Sequence, residues 1–323
     1  MTISMDKPTL RTPQYYKREL NWLQFNNRAL HKAFNQRTPL LERLNVLATF
    51  STNLDDFFMV QVPELLDQAQ TNITNTPGNG ITPRQQLEHI HDHLLPIVQR
   101  QHTYFFGEMR SHMETEGIYL LTYDRLNQQQ QSHLTELFES HIFPILTPLG
   151  VDPAHPFPRM SNLSLNIAAE IEDPETQTPR FVRIKVPNNL PRFISFPDNL
   201  KTVDHQPVSW AGIALEDIII RHLASLFPGM AILNSHPFRI TRATEVPTQK
   251  NKPDNHLLAI QQDSTKRQLD GSVVRLEVAS TFPKNLQDSL IQEFQITPDD
   301  VYQLDGHLNL RDLYFFCLLP TQD

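Results

Sequence analysis

The chain has 323 residues, of which 39% are hydrophobic and 20% charged, and its formal net charge at pH 7 is -8. This length suits two domains, and the acidic balance argues against a nucleic-acid-binding protein, which needs a basic face to neutralise phosphates. No apolar run reaches membrane-spanning length, and the polar residues 1–11 lack the core of a signal peptide, so we expect a cytoplasmic protein without a transmembrane segment, leaving peripheral membrane attachment open.

Three long helices are predicted in the first part of the chain. Apolar residues recur at spacings of three and four over 15–34, over 38–70 and from Thr82 to just before Gly117, which is the period of a helix with one buried face. The third helix begins with a capping box, because a Gln follows Thr82 by three residues, and Gly117 is expected to end it. We therefore predict an antiparallel helical domain over residues 1–116.

The second helix contains a polar stretch, Phe50-Ser-Thr-Asn-Leu-Asp-Asp-Phe-Phe58. Two hydroxyls and an amide in one turn cost helix propensity, because they compete for the backbone's hydrogen bonds. One explanation is a bend or helix junction with the polar groups satisfied internally. The other is that the Asn53 amide binds a ligand, since its adjacent donor and acceptor match the N6/N7 edge of adenine. Asp55 and Asp56 are expected to be solvated or capping charges.

Other side chains that could bind ligands have simpler structural explanations. Trp22 and Phe25 on the first helix are expected to lie in the core rather than to form a ligand platform. His89 and His93 share a face of the third helix and could hold zinc, but no acidic base or cysteine accompanies them, so a solvated face is favoured and no metal site is predicted. His155 stands between prolines, where an anchoring role is favoured over a role in an active site.

From Leu163 onward the apolar pattern changes from a period of 3.6 to a period of 2, which predicts strands. The predicted strands cover 163–171, 182–186, 236–242 and 273–278. The predicted helices cover 126–141, 215–227, 255–269 and 286–294. A short strand and an apolar helix are predicted over 301–319. Arg183 and Lys185 are expected to be solubilising charges on the outer face of their strand. We predict an α+β fold in which the helical domain precedes a mixed β-sheet domain over 117–323, with helices packed on one face of the sheet.

Several segments resemble the bacterial polyphosphate kinase family, in order and at the right spacing. Three segments resemble the opening of that family, namely Glu19-Leu-Asn-Trp-Leu-Gln-Phe-Asn26, Pro39-Leu-Leu-Glu-Arg-Leu44 and the polar stretch at 50–58. The Pro-rich segment 143–158 resembles its linker into the second domain, and Arg180-Phe-Val-Arg-Ile-Lys-Val-Pro-Asn-Asn-Leu-Pro-Arg-Phe193 resembles a later segment. The resemblance implies an enzyme that polymerises the terminal phosphate of ATP through a phosphohistidine.

The resemblance also implies roles for the two predicted domains. The family's Asn before Leu-Asp contacts the nucleotide, which assigns ATP binding to Asn53. The middle, or head, domain over 117–323 would mediate self-association and help to line the polymer path, to which Arg183 and Lys185 could contribute. In that family the phosphorylated His and the magnesium-binding arginines lie in two later domains of phospholipase-D-like fold. Nothing in this sequence matches their His-x-Lys signature, so we expect those catalytic domains to be absent, with no catalytic residue and no metal site in this chain.

These inferences predict the N-terminal half of a polyphosphate kinase, inactive alone. Its expected partners are ATP, ADP and inorganic polyphosphate, with magnesium needed by the full-length enzyme and with further copies of itself in a homo-oligomer. Phosphoryl transfer depends on positioning and charge neutralisation, which a chain without the nucleophile and the metal site does not supply. The alternative is a stand-alone, non-catalytic binding or regulatory module derived from that enzyme, and composition does not separate the two.

Overall fold

The computed structural model of the chain describes residues 16–70, 81–151, 159–244 and 271–319. His155 and the helix predicted over 255–269 lie outside these ranges. The helices of the described ranges are α1 (Tyr16–Leu30), α2 (Leu40–Asp56), α3 (Val62–Gln70), α4 (Pro83–Tyr104), α5 (Arg110–Thr115), α6 (Gln128–Leu137), α7 (Leu215–Arg221), α8 (Leu223–Leu226), α9 (Lys284–Phe294) and α10 (Tyr314–Cys317). No helix in these ranges is long and apolar enough to cross a membrane.

The first five helices form three rods. A π-helical turn, Phe57–Gln61, joins α2 to α3, and a second one, Phe105–Met109, joins α4 to α5. Gln101 of α4 donates from Nε2 to the carbonyl oxygen of Leu47 at 2.8 Å and to Oγ of Ser51 at 2.9 Å. The buried amide of Gln101 thus supplies polar contacts between two rods that also pack through apolar side chains.

The predicted ends of the third helix are confirmed. Thr82 caps α4, because its Oγ accepts from the backbone N–H of Gln85 and the Gln85 side chain accepts from the Thr82 N–H at 2.9 Å. Gly117 follows the end of α5 with a φ of 74°, a left-handed conformation that favours glycine. The domain division placed at this glycine remains a prediction.

The strands form a mixed sheet and two smaller ones. They are β1 (Ile118–Leu121), β2 (Leu149–Val151), β3 (Leu165–Asp173), β4 (Thr178–Lys185), β5 (Phe193–Ser195), β6 (Thr202–Val203), β7 (Gln206–Pro207), β8 (Trp210–Ala214), β9 (Ala231–Arg242), β10 (Val273–Ala279) and β11 (Val301–Leu304). Within the described ranges the largest sheet has the order β11-β10-β9-β3-β4-β2, parallel only between β10 and β11. The three-stranded sheet β1-β8-β5 lies beside it in the fold, and β6 pairs with β7.

The largest sheet is covered on both faces, so the prediction of helices on one face is wrong. One face packs on α9, where Phe238 and Leu276 join Leu286 and Leu290 in a single apolar cluster. The other face packs on the helical rods. This is why β10 is buried along its whole length and does not alternate between buried and exposed residues.

The prediction that Arg183 is a solubilising charge is also wrong. Its side chain lies on β4 and is 5% exposed, and its Nε donates to Oδ1 of Asn166 at 2.8 Å. Burial lowers the pKa of Arg183. Lys185, two residues further along the strand, is half-buried and donates to Oγ of Ser161 at 2.9 Å.

Candidate functional site

Asn53 lies on α2, one turn before the π-helical turn, and is half-buried. Its Nδ2 donates to Oδ1 of Asn26 at 2.7 Å. Asn26 belongs to α1, is 2% exposed, and donates from its own Nδ2 to the carbonyl oxygen of Trp22 at 2.9 Å. Two amides in series therefore fix the orientation of the Asn53 side chain.

The fixed amide keeps free hydrogen-bonding capacity. A primary amide has two N–H donors and a carbonyl acceptor, and Asn26 takes one of the donors. Within the described residues no other side chain or backbone group bonds to the Asn53 side chain. The remaining N–H and Oδ1 are a neighbouring donor and acceptor on a half-buried surface, which is the pattern that pairs with the N7 and N6 groups of adenine.

The other polar residues of this turn are satisfied within the protein. Ser51 accepts from Gln101, and Thr52 donates to the carbonyl oxygen of Ala48 at 3.1 Å. For these two residues the explanation of a helix junction applies, since the π-helical turn begins at Phe57. Asn53 differs from them because one N–H and Oδ1 of its amide have no partner among the described residues.

Asp55 is buried, so the prediction of a solvated or capping charge is wrong. Its side chain is 4% exposed and its Oδ2 lies 2.6 Å from Nη2 of Arg239. Nη2 of Arg275 contacts the other oxygen. Arg239 in turn donates to Oε2 of Glu277 at 2.5 Å. Two carboxylates and two guanidinium groups thus form a buried ion cluster that joins α2 to β9 and β10.

The cluster keeps its charges because each one faces an opposite charge. Burial alone would raise the pKa of Asp55, but Arg239 and Arg275 outweigh it and lower that pKa. Burial alone would lower the pKa of Arg239, but Asp55 and Glu277 raise it. The Arg275 guanidinium also lies over the Phe58 ring, 4.5 Å from its centroid. The ion cluster therefore holds the turn that carries Asn53 against the sheet.

The aromatic residues beside Asn26 divide between core and surface. Trp22 packs on the core, and its ring stacks on Phe57 at a centroid distance of 4.5 Å. Phe25 was predicted in the core but is 63% exposed. The prediction failed because Phe25 follows Trp22 by three residues, a spacing that alone does not distinguish the edge of a buried face from its centre.

A second buried ion cluster lies on the far side of the sheet from α9. Arg192 donates from Nε to Oε2 of Glu216 at 2.7 Å and from Nη1 to Oδ2 of Asp312 at 2.7 Å. The Glu216 side chain is 1% exposed. Burial alone would raise the pKa of Glu216, but Arg192 outweighs it and lowers that pKa. This cluster joins the segment before β5, the first turn of α7 and the segment before α10.

Among the described residues, no group of three or more His, Cys, Asp or Glu side chains could hold a metal ion. His93 is exposed on α4, and its Nδ1 lies 3.0 Å from the backbone oxygen of His89. Cys317 is a free thiol.

Two family models match this chain. Residues 15–121 match the model described as polyphosphate kinase N-terminal domain, and residues 129–316 match the one described as polyphosphate kinase middle domain. Between them the matches include Asn53, both ion clusters and all of the described strands.

Similar whole proteins are also found. The chain is 47% identical to a polyphosphate kinase of Thermosynechococcus vestitus over 96% of its own length and 42% of the relative's. It is 45% identical to one of Synechocystis sp. over 95% of its length and 42% of the relative's. For a polyphosphate kinase of Aphanizomenon baltica the identity is 43%, over 81% of the chain and 68% of the relative. The chain thus spans less than half the length of the first two.

A solved structure shows the same fold. The crystal structure of polyphosphate kinase from Porphyromonas gingivalis matches with a TM-score of 0.74 and 22% sequence identity, over 94% of this chain and 40% of that chain. The predicted fold, a helical bundle followed by a mixed sheet with packed helices, is confirmed.

Proposed function

Because this chain belongs to the polyphosphate kinase family, we propose that it is the N-terminal and middle part of an enzyme that reversibly transfers the terminal phosphate of ATP to inorganic polyphosphate. Its own contribution is to hold the adenine base and to mediate self-association. The observation that carries the nucleotide role is the Asn53 amide, which is oriented by Asn26 at 2.7 Å while one donor and its acceptor remain available.

The proposed contact is a pair of hydrogen bonds to the base. The free N–H of Asn53 donates to adenine N7, and Oδ1 accepts from the N6 amino group. A side chain on a rigid helix suits this task, because its position is set by packing before the ligand arrives. Asp55 contributes indirectly, since its bonds to Arg239 and Arg275 keep that turn of α2 on the sheet.

We assign the chemical step to the rest of the full-length enzyme. Phosphoryl transfer needs a positioned nucleophile and charges that neutralise the transferred group. Magnesium, which the family implies, requires several oxygen ligands, and no suitable group of acidic side chains lies among the described residues. These residues do not fit the ion, so no step is assigned to magnesium bound to them. Synthesis of polyphosphate from ATP by the purified 323-residue chain would contradict its proposed inactivity.

The test of the adenine contact is an Asn53→Ala variant of the full-length enzyme. Loss of two hydrogen bonds to the base is expected to weaken ATP binding by roughly 10-fold to 100-fold, since a bidentate pair contributes about 1–3 kcal/mol of discrimination. Asn45→Ala is the matched control, because Asn45 is exposed on the same helix two turns earlier. Its affinity for ATP should not change.

An ATP analogue separates the contact from a general structural effect. In 7-deaza-ATP a C–H replaces N7, so the wild type should bind it more weakly than ATP. Asn53→Ala should bind the two nucleotides equally, because the donor to N7 is gone. If the variant still discriminated between them, the proposed contact would be wrong. Self-association, proposed on the resemblance alone, is tested by sedimentation velocity of the chain.

A further inference from the structure

A cavity of about 290 Å³ lies where the helical rods meet the largest sheet. α3 and α4 line one part of it, and the start of β10, the end of α9 and β11 line the rest. At roughly 30 Å³ for each water-sized group, it holds about ten such groups, which is the size of a small organic molecule. The proposed nucleotide contact at Asn53 is not part of its wall.

Much of the wall is apolar and aromatic. Leu66 and Ile90 belong to it, as does the ring of Tyr302. The Tyr302 ring contacts the rings of Phe58 and His91, at centroid distances of 5.5 Å and 5.1 Å. A ligand of this cavity therefore needs an apolar part, and aromatic faces of this kind also attract cations.

Two polar groups of the wall lack a hydrogen-bond partner. Tyr302 is 2% exposed, and no described residue bonds to its hydroxyl. Nδ1 of His91 is buried and has no partner among the described residues either. Buried polar groups are nearly always hydrogen-bonded, so two exceptions on the wall of one cavity point to a polar ligand.

The carboxylates of the wall outnumber the cations that pair with them. Nε of Arg84 lies 3.6 Å from Glu88, whereas Asp299 and Asp300 make no ion pair with a described residue. Oδ2 of Asp300 accepts from the N–H and the hydroxyl of Thr297, at 2.8 Å and 2.9 Å. Burial raises the pKa of Asp300 although these hydrogen bonds oppose the rise, as expected for a carboxyl without a cation beside it.

The charge and the lining together select the class of cation. Within the described ranges, no group of three or more His, Cys, Asp or Glu side chains could hold a metal ion. The Arg275 guanidinium lies over the Phe58 ring, but it already contacts Asp55 and Glu277. An ammonium group on an alkyl chain suits the cavity, because its three N–H groups donate to the acceptors and its chain packs on apolar side chains.

We propose that this cavity binds a small organic cation, a primary ammonium ion on a short alkyl chain. The ammonium group donates to Asp300 and to the Tyr302 hydroxyl, and the alkyl chain packs on Leu66 and Ile90. Since both the rods and the sheet line the cavity, the bound cation adds a contact between them. The proposal does not depend on the nucleotide role of Asn53.

The test is calorimetric titration of the 323-residue chain with butylammonium chloride and with 1-butanol, an uncharged molecule of almost the same size. No nucleotide or polyphosphate is present, because those anions would bind the amine themselves. The wild type is expected to bind butylammonium saturably and at least about 10-fold more tightly than 1-butanol, since a charge-assisted hydrogen bond is added to the apolar contact.

Two single variants locate the binding. Tyr302→Phe removes the hydroxyl and keeps the ring, and Asp300→Asn removes the charge while its amide oxygen can still accept from Thr297. Each is expected to bind butylammonium about 10-fold more weakly. The control Asp288→Asn removes the same charge from α9 at a side chain that is 58% exposed, and it should bind as the wild type does.

Each outcome bears on the proposal. No saturable binding of butylammonium to the wild type, or equal affinity for butylammonium and 1-butanol, would overturn it. Equal weakening in Asp288→Asn and Asp300→Asn would show a general charge effect and would overturn the site. If Asp300→Asn fails to fold, Tyr302→Phe decides, and an unchanged affinity in that variant would overturn the contact. Asn53→Ala should bind butylammonium normally, so failure of the adenine contact would leave this site standing.

Discussion

Replacing Asp55 with Asn is expected to lower the free energy of unfolding by about 3–5 kcal/mol, because breaking a buried ion cluster leaves a charge without its partner. Arg239 and Arg275 are 2% and 4% exposed at their side chains and share Asp55. Asn keeps the size of the side chain and removes only its charge. Urea denaturation with a two-state fit measures the difference.

The neighbouring residue provides the control. Asp56 is exposed, so Asp56→Asn should change the free energy of unfolding by no more than about 0.5 kcal/mol. The pH dependence gives a second check. The folded state lowers the pKa of Asp55, so the stabilisation by its carboxylate is fully present above the unfolded pKa near 4. This stabilisation is lost as the pH falls through the lower pKa of the folded state. The difference between wild type and Asp55→Asn should therefore shrink in acid, and a difference that stayed constant would argue against the ion cluster.

Replacing Glu216 with Gln is expected to cost about 3 kcal/mol of unfolding free energy for the same reason. Glu216 is 1% exposed and pairs with two nitrogens of Arg192, whose side chain is 12% exposed. Gln can accept one of these hydrogen bonds but cannot neutralise the guanidinium. The measurement is denaturation at neutral pH, where the carboxylate of the wild type is charged.

Asp312→Asn is the comparison for this second cluster. Its side chain is 32% exposed, so water can compensate part of the lost charge, and we expect a cost of about 1 kcal/mol or less. If Glu216→Gln and Asp312→Asn had equal effects, burial would not be the reason for the loss.

The elements that were predicted correctly are those whose signals are local. The capping box at Thr82 and the left-handed Gly117 fix both ends of α4 and α5 within a few residues. Alternating apolar residues placed β3, because nine residues of period 2 are difficult to interpret otherwise. The strands β1, β5 and β8 were missed, since three to five residues are too few to show a period.

The features that were predicted wrongly depend on distant residues. Asp55 meets Arg239 and Arg275 at separations of 184 and 220 residues along the chain. When those partners are not known, the simplest interpretation of Asp55 beside Asp56 is that water solvates both carboxylates. Arg183 is buried on β4, where its Nε donates to Asn166 on β3, and nothing in the sequence indicated that contact. A buried charge can be predicted from a sequence only when its partner can be predicted as well.

The candidate site was located by resemblance, and its geometry came from the fold. The polar pattern around Asn53 allowed either a helix junction or a ligand contact. The bonds of Ser51 and Thr52 within the protein fit the junction, and the ligand contact of Asn53 remains a prediction. No sequence signal indicated that Asn26 would orient the Asn53 amide, because those two residues are 27 positions apart on separate helices.

The ion cluster at Asp55 also has a consequence for synthesis. Asp55 is synthesised 184 residues before Arg239, the first of its two partners to be made. At a translation rate of about 5–20 residues per second, this delay is roughly 9–37 seconds. During that time the helical rods have been made, but the carboxylate that attaches them to the sheet has no cation to pair with. The helical rods are therefore made before the sheet, but they reach their final attachment to it only after β9 has been synthesised.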